Sequence, residues 1–174
     1  MSEPEPEKPM QIYDAFFQAG QVVFPRASEL MEIRERGFGD LRGKKLVLSP
    51  HEAFYLLEKN RITVENMEGE KITFEELVKS LSGRKAEIWV KYLVYRDLRD
   101  RGYIVRECPG FDYEIHGKGP MRRYVSIVYE GGEANLKTLR KLLKRSTREK
   151  KELILAVVDR RTDIVYYSLE FLRV

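Results

Sequence analysis

The chain has 174 residues, room for one domain or two small ones and too few for anything larger. A content of 43% hydrophobic and 11% aromatic residues excludes disorder over most of the length, and 32 Lys and Arg against 28 Asp and Glu leave a net charge of +4, which permits an anionic partner without requiring one. The charge is unevenly shared: residues 1–85 hold 13 basic and 15 acidic side chains, residues 86–174 hold 19 and 13, so contact with a polyanion belongs to the second half. A single cysteine, Cys108, can form no internal disulfide. No run approaches the roughly 18 apolar residues of a membrane span, and the opening MSEPEPEKPM is acidic where a secretory leader is basic. A cytoplasmic chain without a membrane partner is expected.

Residues 1–9 alternate Glu and Pro with nothing to bury, and a disordered tail is expected there. The stretch 10–25 contains Ile12-Tyr13 and Val22-Val23-Phe24, suited to strands, and Ala27 to Arg36 spaces Leu30, Met31 and Ile33 as a helix that Gly37 would stop. Lys45 to Leu48 reads as a short strand running into Ser49-Pro50-His51-Glu52, a capping box with Ser49 at the N-cap and proline at the first helical position. Thr73-Phe74-Glu75-Glu76 is a second box, opening a helix through Leu77 and Val78. These pieces assign 10–80 to a small N-terminal mixed α/β domain, with the Gly- and Ser-bearing stretch 81–86 as linker.

Beyond it, Ile88, Trp89, Tyr92, Leu93, Tyr95 and Leu98 recur at helical spacing from Ala86 to Arg101, with Gly102 as the stop. Strands are expected at 103–106, 113–116, 124–129, 153–158 and 164–171, with a helix between the third and fourth from Asn135 to about Arg145. Residues 87–174 therefore form a second domain, a mixed central sheet with two main helices, and the fold class is α/β in the α+β sense.

Between Ala134 and Lys151 eight cations face one acid, Glu149. Leu136, Leu139, Leu142 and Leu143 take one helical side, so most of the cations share the other; this suits phosphate contact or a plain solvated face, and composition does not choose. His51, at the second position of a capped helix, reads as a surface imidazole without a role. His116 ends a strand before Gly117-Lys118-Gly119, where side chains reach past a sheet edge. The stretch HGKGP is too short for a phosphate-binding loop, and Asp159 and Asp163 read as turn formers rather than metal ligands. Metal-free RNA cleavage, which needs a base for the ribose 2′-hydroxyl, an acid for the leaving oxygen and a cation for the phosphorane, could take His116 and Lys151 for two of its three places, with no cofactor.

The run Gly37-Phe38-Gly39-Asp40 through LRGKKLVLSPHEAFYLLEKNRI, then KYLVYRDLRDRGYIV, then LILAVVDRRTDIVYY, resembles the archaeal tRNA-splicing endonuclease family over nearly the whole chain after about residue 10. The resemblance implies an N-terminal α/β domain, a C-terminal nuclease-like domain, a tetramer, and precursor tRNA as substrate, cut at a bulge-helix-bulge to leave a 2′,3′-cyclic phosphate and a 5′-hydroxyl. Active subunits of that family use a tyrosine, a histidine and a lysine. The matching stretches here put His116 at the tyrosine position, Met121 at the histidine position and Lys151 at the lysine position. With two of three groups changed, the resemblance implies the structural, non-catalytic subunit of a heterotetramer, two copies beside two of a catalytic partner. It places Glu130 and Glu133 in an acidic loop that enters the neighbour, and Tyr166, Tyr167, Leu169 and Phe171 on a strand that pairs across a dimer; to this the cation run adds an expected RNA contact through Lys144, Arg145, Arg148 and Lys151. Two alternatives stay open: a self-sufficient nuclease using His116 and Lys151, and an RNA-binding module without enzymatic activity.

Overall fold

In the computed structural model, residues 11–83, 86–117, 119–132 and 135–171 are described. The expected tail 1–9, residues 84 and 85 of the expected linker, Glu133, and the last residues of the chain lie outside them. The chain divides into two compact units, one up to Gly83 and one from Arg84.

The first unit is built on a five-stranded sheet. Strands β1 (Tyr13–Gln18) and β2 (Gln21–Phe24) form a hairpin whose two turn residues, Ala19 and Gly20, both have positive φ, the backbone that a two-residue turn between right-twisted strands demands. Strands β3 (Asp40–Arg42) and β4 (Lys45–Leu48) extend it antiparallel beside β2, and β5 (Ile62–Glu65) joins β1 in parallel, giving the order β3-β4-β2-β1-β5. Helix α2 (Pro50–Glu58) lies across β2, β4 and β5 and meets α3 (Phe74–Ser82). Both capping boxes form as expected, Ser49 with Glu52 and Thr73 with Glu76. The core includes Val22, Phe24, Leu46, Phe54, Ile62, Val64 and Leu77.

Three sequence expectations change here. The stretch Ala27 to Arg36 is not one helix: a 3-10 turn at Ala27–Glu29 is followed by α1 (Met31–Glu35), because the chain leaves helical geometry at Leu30 as that side chain enters the core. Gly37, with φ +78°, ends α1 as expected, donating to Arg34 while Phe38 donates to Ile33. His51 is not on the surface but 5% exposed, edge-on to Phe54, because the first turn of α2 faces inward. Strands β3 and β5 were not expected at all. Glu52 is also buried, and its two oxygens accept from Ser49 N at 2.8 Å and from Gly39 N at 3.0 Å, so the cap carboxylate ties the turn before β3 to the start of α2.

The second unit is a mixed five-stranded sheet in the order β10-β9-β8-β7-β6. Strands β6 (Ile104–Glu107), β7 (Tyr113–His116) and β8 (Arg122–Tyr129) run antiparallel in sequence. Helix α5 (Leu136–Arg148) then carries the chain across to β9 (Glu152–Val158), parallel to β8, and β10 (Ile164–Leu169) closes the sheet antiparallel at one edge. Helix α4 (Ala86–Asp100) covers one face: Tyr113 donates to the Lys91 carbonyl at 3.0 Å and Tyr166 to Asp97 at 2.7 Å. Helix α5 covers part of the other face, where Phe111 stacks on Tyr124 at 4.0 Å over Leu153, with Leu142, Leu143 and Leu169 packed around them. The fold is thus mixed α/β, two five-stranded sheets with helices. Among the described residues no helix is long and apolar enough to cross a membrane.

Candidate active site

Strand pairing alone gathers the three positions singled out in the second unit at one end of the sheet. His116, the last residue of β7, lies opposite Arg122, the first of β8; Met121 precedes it, and Lys151 immediately precedes β9, whose first residue Glu152 lies opposite Arg123. Helix α5 ends in a way that sets Lys151 there. Lys150 takes the left-handed conformation, φ +54°, and the Lys151 amide reaches back to the Ser146 carbonyl at 2.9 Å, closing the helix and turning the chain into β9. An open depression of about 620 Å³ adjoins this end, with Met121, Lys151, Glu152, Ser168 and Phe171 among its lining residues.

The cation in this cluster is engaged. Lys151 Nζ donates to Glu114 Oε1 at 2.9 Å and to the Tyr124 hydroxyl at 2.8 Å, and stands 4.3 Å from the centre of the Tyr124 ring. Tyr124 in turn donates to Glu149, which also takes Arg145 Nε at 2.9 Å. The tyrosine hydroxyl and the arginine hold the Glu149 carboxyl below the usual carboxylate range, while Tyr124 and Glu114 hold the Lys151 ammonium above its ordinary value. Beside them Arg123 pairs with Glu152 at 2.6 Å and Ser168 donates to the same carboxylate at 2.6 Å, lacing β8, β9 and β10 together.

His116 and Glu114 are two residues apart on β7 and share a face. Burial, then the charges of Arg122, Arg106 and Arg99, push the His116 imidazole below 6.5, with Glu114 opposing them, so the neutral ring is favoured. The unfolded chain therefore binds the extra proton first, and stability is expected to fall as pH drops from 6.5 towards the folded value. Melting temperatures between about pH 5 and 7.5 check this: His116→Gln should flatten that limb, and an unchanged slope would contradict it. Met121 is 58% exposed and has no proton to give.

Each of the two units also matches a family model. The family model for the N-terminal domain of tRNA intron endonuclease matches residues 13–78, and that for its catalytic C-terminal domain matches residues 88–166. The chain belongs to the tRNA intron endonuclease family. Similar proteins include the tRNA-splicing endonuclease of Pyrococcus furiosus, 41% identical over 164 residues that cover 90% of this chain and 95% of that protein. Those of Pyrococcus horikoshii, 31% identical over 96% of this chain and 99% of the relative, and Thermococcus onnurineus, 35% identical over 79% and 83%, are also similar.

Within this tRNA intron endonuclease fold, the remaining residues named from the sequence scatter. Lys144 and Arg148 are exposed on α5. Arg145 is pinned: besides Glu149 it donates to the Pro109 carbonyl at 3.0 Å and lies over the Phe111 ring. Glu130 accepts from the Arg160 amide at 3.1 Å within its own unit, across the start of the Gly131-Gly132 turn. On β10, Tyr167 and the following Phe171 are exposed, at 53% and 46%, whereas Tyr166 turns to α4 and Leu169 packs below α5. Glu114, Tyr124 and Glu149, which surround Lys151, were not among the site residues expected from the sequence. Strand alternation pointed to Glu114, two residues before His116, and Glu149 is the single acid in a run of cations.

Proposed function

We propose that this chain is the structural, non-catalytic subunit of a heterotetrameric tRNA-splicing endonuclease, two copies beside two of a catalytic relative, acting on precursor tRNA at bulge-helix-bulge motifs. The active subunit would cut without metal, leaving 2′,3′-cyclic phosphate and 5′-hydroxyl ends. One observation carries the reading: at the sheet end where base, acid and cation would have to meet, the acid position is an exposed methionine, and the lysine is already neutralised by Glu114. A proton donor to the leaving oxygen contributes typically about 10²–10⁴-fold to such a step, and methionine supplies none. The β10 edge, with Tyr167 and Phe171 exposed, supports a role in assembly, since an unpaired apolar strand edge favours pairing with another chain. Glu130 and Glu133 would form the acidic loop presented to the neighbour.

The test is to incubate the purified chain with a bulge-helix-bulge RNA, alone and mixed with a catalytic subunit of the family. Alone it should not cut; mixed, it should co-elute with the partner and cleavage should appear. Robust cleavage by the chain alone would overturn the reading, and failure to co-assemble would favour an RNA-binding module. The second reading, a self-sufficient nuclease with His116 as base, draws on the depressed pKa that keeps this imidazole able to accept a proton. It requires His116→Ala to abolish cleavage and Met121→Ala to spare it.

A further inference from the structure

We propose that the solvent-facing stripe of α5, formed by Lys137, Arg140, Lys141, Lys144 and Arg148, is a phosphate-tracking surface for the RNA strand, giving this chain a binding role separate from the sheet end that contains Lys151. The proposal rests on reading the chain as part of an RNA-processing enzyme and adds where, and with what, it holds RNA.

All five side chains are exposed, while Leu142 and Leu143 turn the other side of the helix to the Phe111–Tyr124–Leu153 core. Lys137, Lys141, Lys144 and Arg148 follow one another at steps of four, three and four residues, so they rise along one side of the helix. At about 1.5 Å per residue the five cations are spread over roughly 16 Å of helix, long enough to face several successive phosphates of a strand. Arg145 and Lys151, which belong to the same run in sequence, are already committed to Glu149, the Pro109 carbonyl, Glu114 and Tyr124. The structure thus sorts these seven cations by availability, and the eighth of the segment, Lys150, is exposed just past the end of the helix.

The stripe also works against its own helix. The Asn135 side chain caps the first turn of α5, accepting from the Lys137 and Thr138 amides, but that turn contains no acidic residue to answer the positive end of the helix dipole, and Lys137 adds to that charge. Like charges stand three and four residues apart along its length, an arrangement that destabilises a helix. Such an excess is relieved by a ligand carrying negative charge repeated along its length. A protein would need a long run of carboxylates to supply it, whereas a nucleic acid backbone supplies it at every nucleotide.

The experiment uses the full-length chain and a labelled bulge-helix-bulge RNA carrying 2′-deoxynucleotides at the scissile positions, so that binding is read without cleavage. Affinity is measured between about 50 and 200 mM salt for the parent, for Lys137→Gln/Lys141→Gln/Lys144→Gln, and for Lys44→Gln/Lys45→Gln/Lys79→Gln, which removes the same charge from exposed positions of the first unit. The α5 variant should flatten the slope of log K against log salt by about 2 to 3, at roughly 0.7–0.9 per cation, and the control should leave it near the parent value. An unchanged slope in the α5 variant, or an equal change in both, would overturn the proposal. So would an α5 variant that keeps its RNA slope but no longer co-elutes with a catalytic subunit, since the stripe would then face protein. Neutralising the stripe relieves repulsion, so the variant should melt no lower than the parent; Lys141→Gln alone, with a slope change near 0.8, provides the same test in a milder form. Because the probe cannot be cut, cleavage of ordinary RNA by the chain bears on the non-catalytic reading alone.

Discussion

Exchanging Lys151 for methionine is expected to leave cleavage by the enzyme assembled with a catalytic partner within about twofold of the parent, while costing this chain ~2 kcal/mol of stability. The two readings of Lys151 separate widely here. A cation that stabilised phosphorane charge would take about 10²–10³ of rate with it when removed. In this fold the ammonium instead holds Glu114, whose side chain is 21% exposed, against the buried Tyr124. Its loss leaves Glu114 with Arg122 at 3.6 Å, an exposed and longer contact. Single-turnover cleavage of the mixed assembly gives the rate, and urea unfolding of the chain alone gives the stability. Lys151→Arg should recover most of the lost stability. A hundredfold fall in cleavage by a variant that still folds and assembles would place Lys151 in the chemistry and refute the structural role.

The second large effect lies in the first unit. Gly39→Ala should destabilise it by about 3 kcal/mol. Gly39 has φ +75°, and a Cβ there would stand 2.7 Å from Leu46 Cγ, a branched carbon in a side chain only 1% exposed. The left-handed backbone accounts for ~1 kcal/mol, and the rest comes from pushing Leu46 out of a packed core or from losing the hydrogen bond between the Gly39 amide and Glu52. Gly43 is the control: its φ is +62°, but nothing stands within 4 Å of its Cβ position, so Gly43→Ala should cost only the backbone part. Thermal unfolding of both variants measures the difference, and equal losses would show that the Leu46 contact counts for nothing.

What could be read from the sequence was whatever depends on near neighbours. The two capping boxes and the stop at Gly37 follow from residues within four positions of one another, and both kinds of signal held; of the expected leucine face of α5, Leu142 and Leu143 pack on the core while Leu136 is 79% exposed. What depends on distant pairing stayed hidden. Strand β5 is four residues with only Ile62 and Val64 buried, too short to announce itself, and exists because β1 pairs with it in parallel from almost fifty residues away. His51 looked like a surface residue because the cap describes the helix end and not the side it turns inward. At the candidate site, His116 and Lys151 stood out from the residues themselves, Met121 came from family resemblance, and strand pairing accounts for their convergence. That Arg145 differs from Lys144 and Arg148 follows from Pro109 and Phe111, which a helical wheel does not contain.

The parallel pairing of β8 with β9 has a consequence for the order of folding. Glu114 and Tyr124 lie before the α5 crossover, Glu149 and Lys151 after it, so the cluster cannot close until the helix has formed and delivered β9 to the sheet. Non-local parallel pairing carries the loop-closure cost before any contact repays it, and forms late. The lysine and its partners thus act as a latch on the finished sheet, one that chains which have not completed the crossover lack.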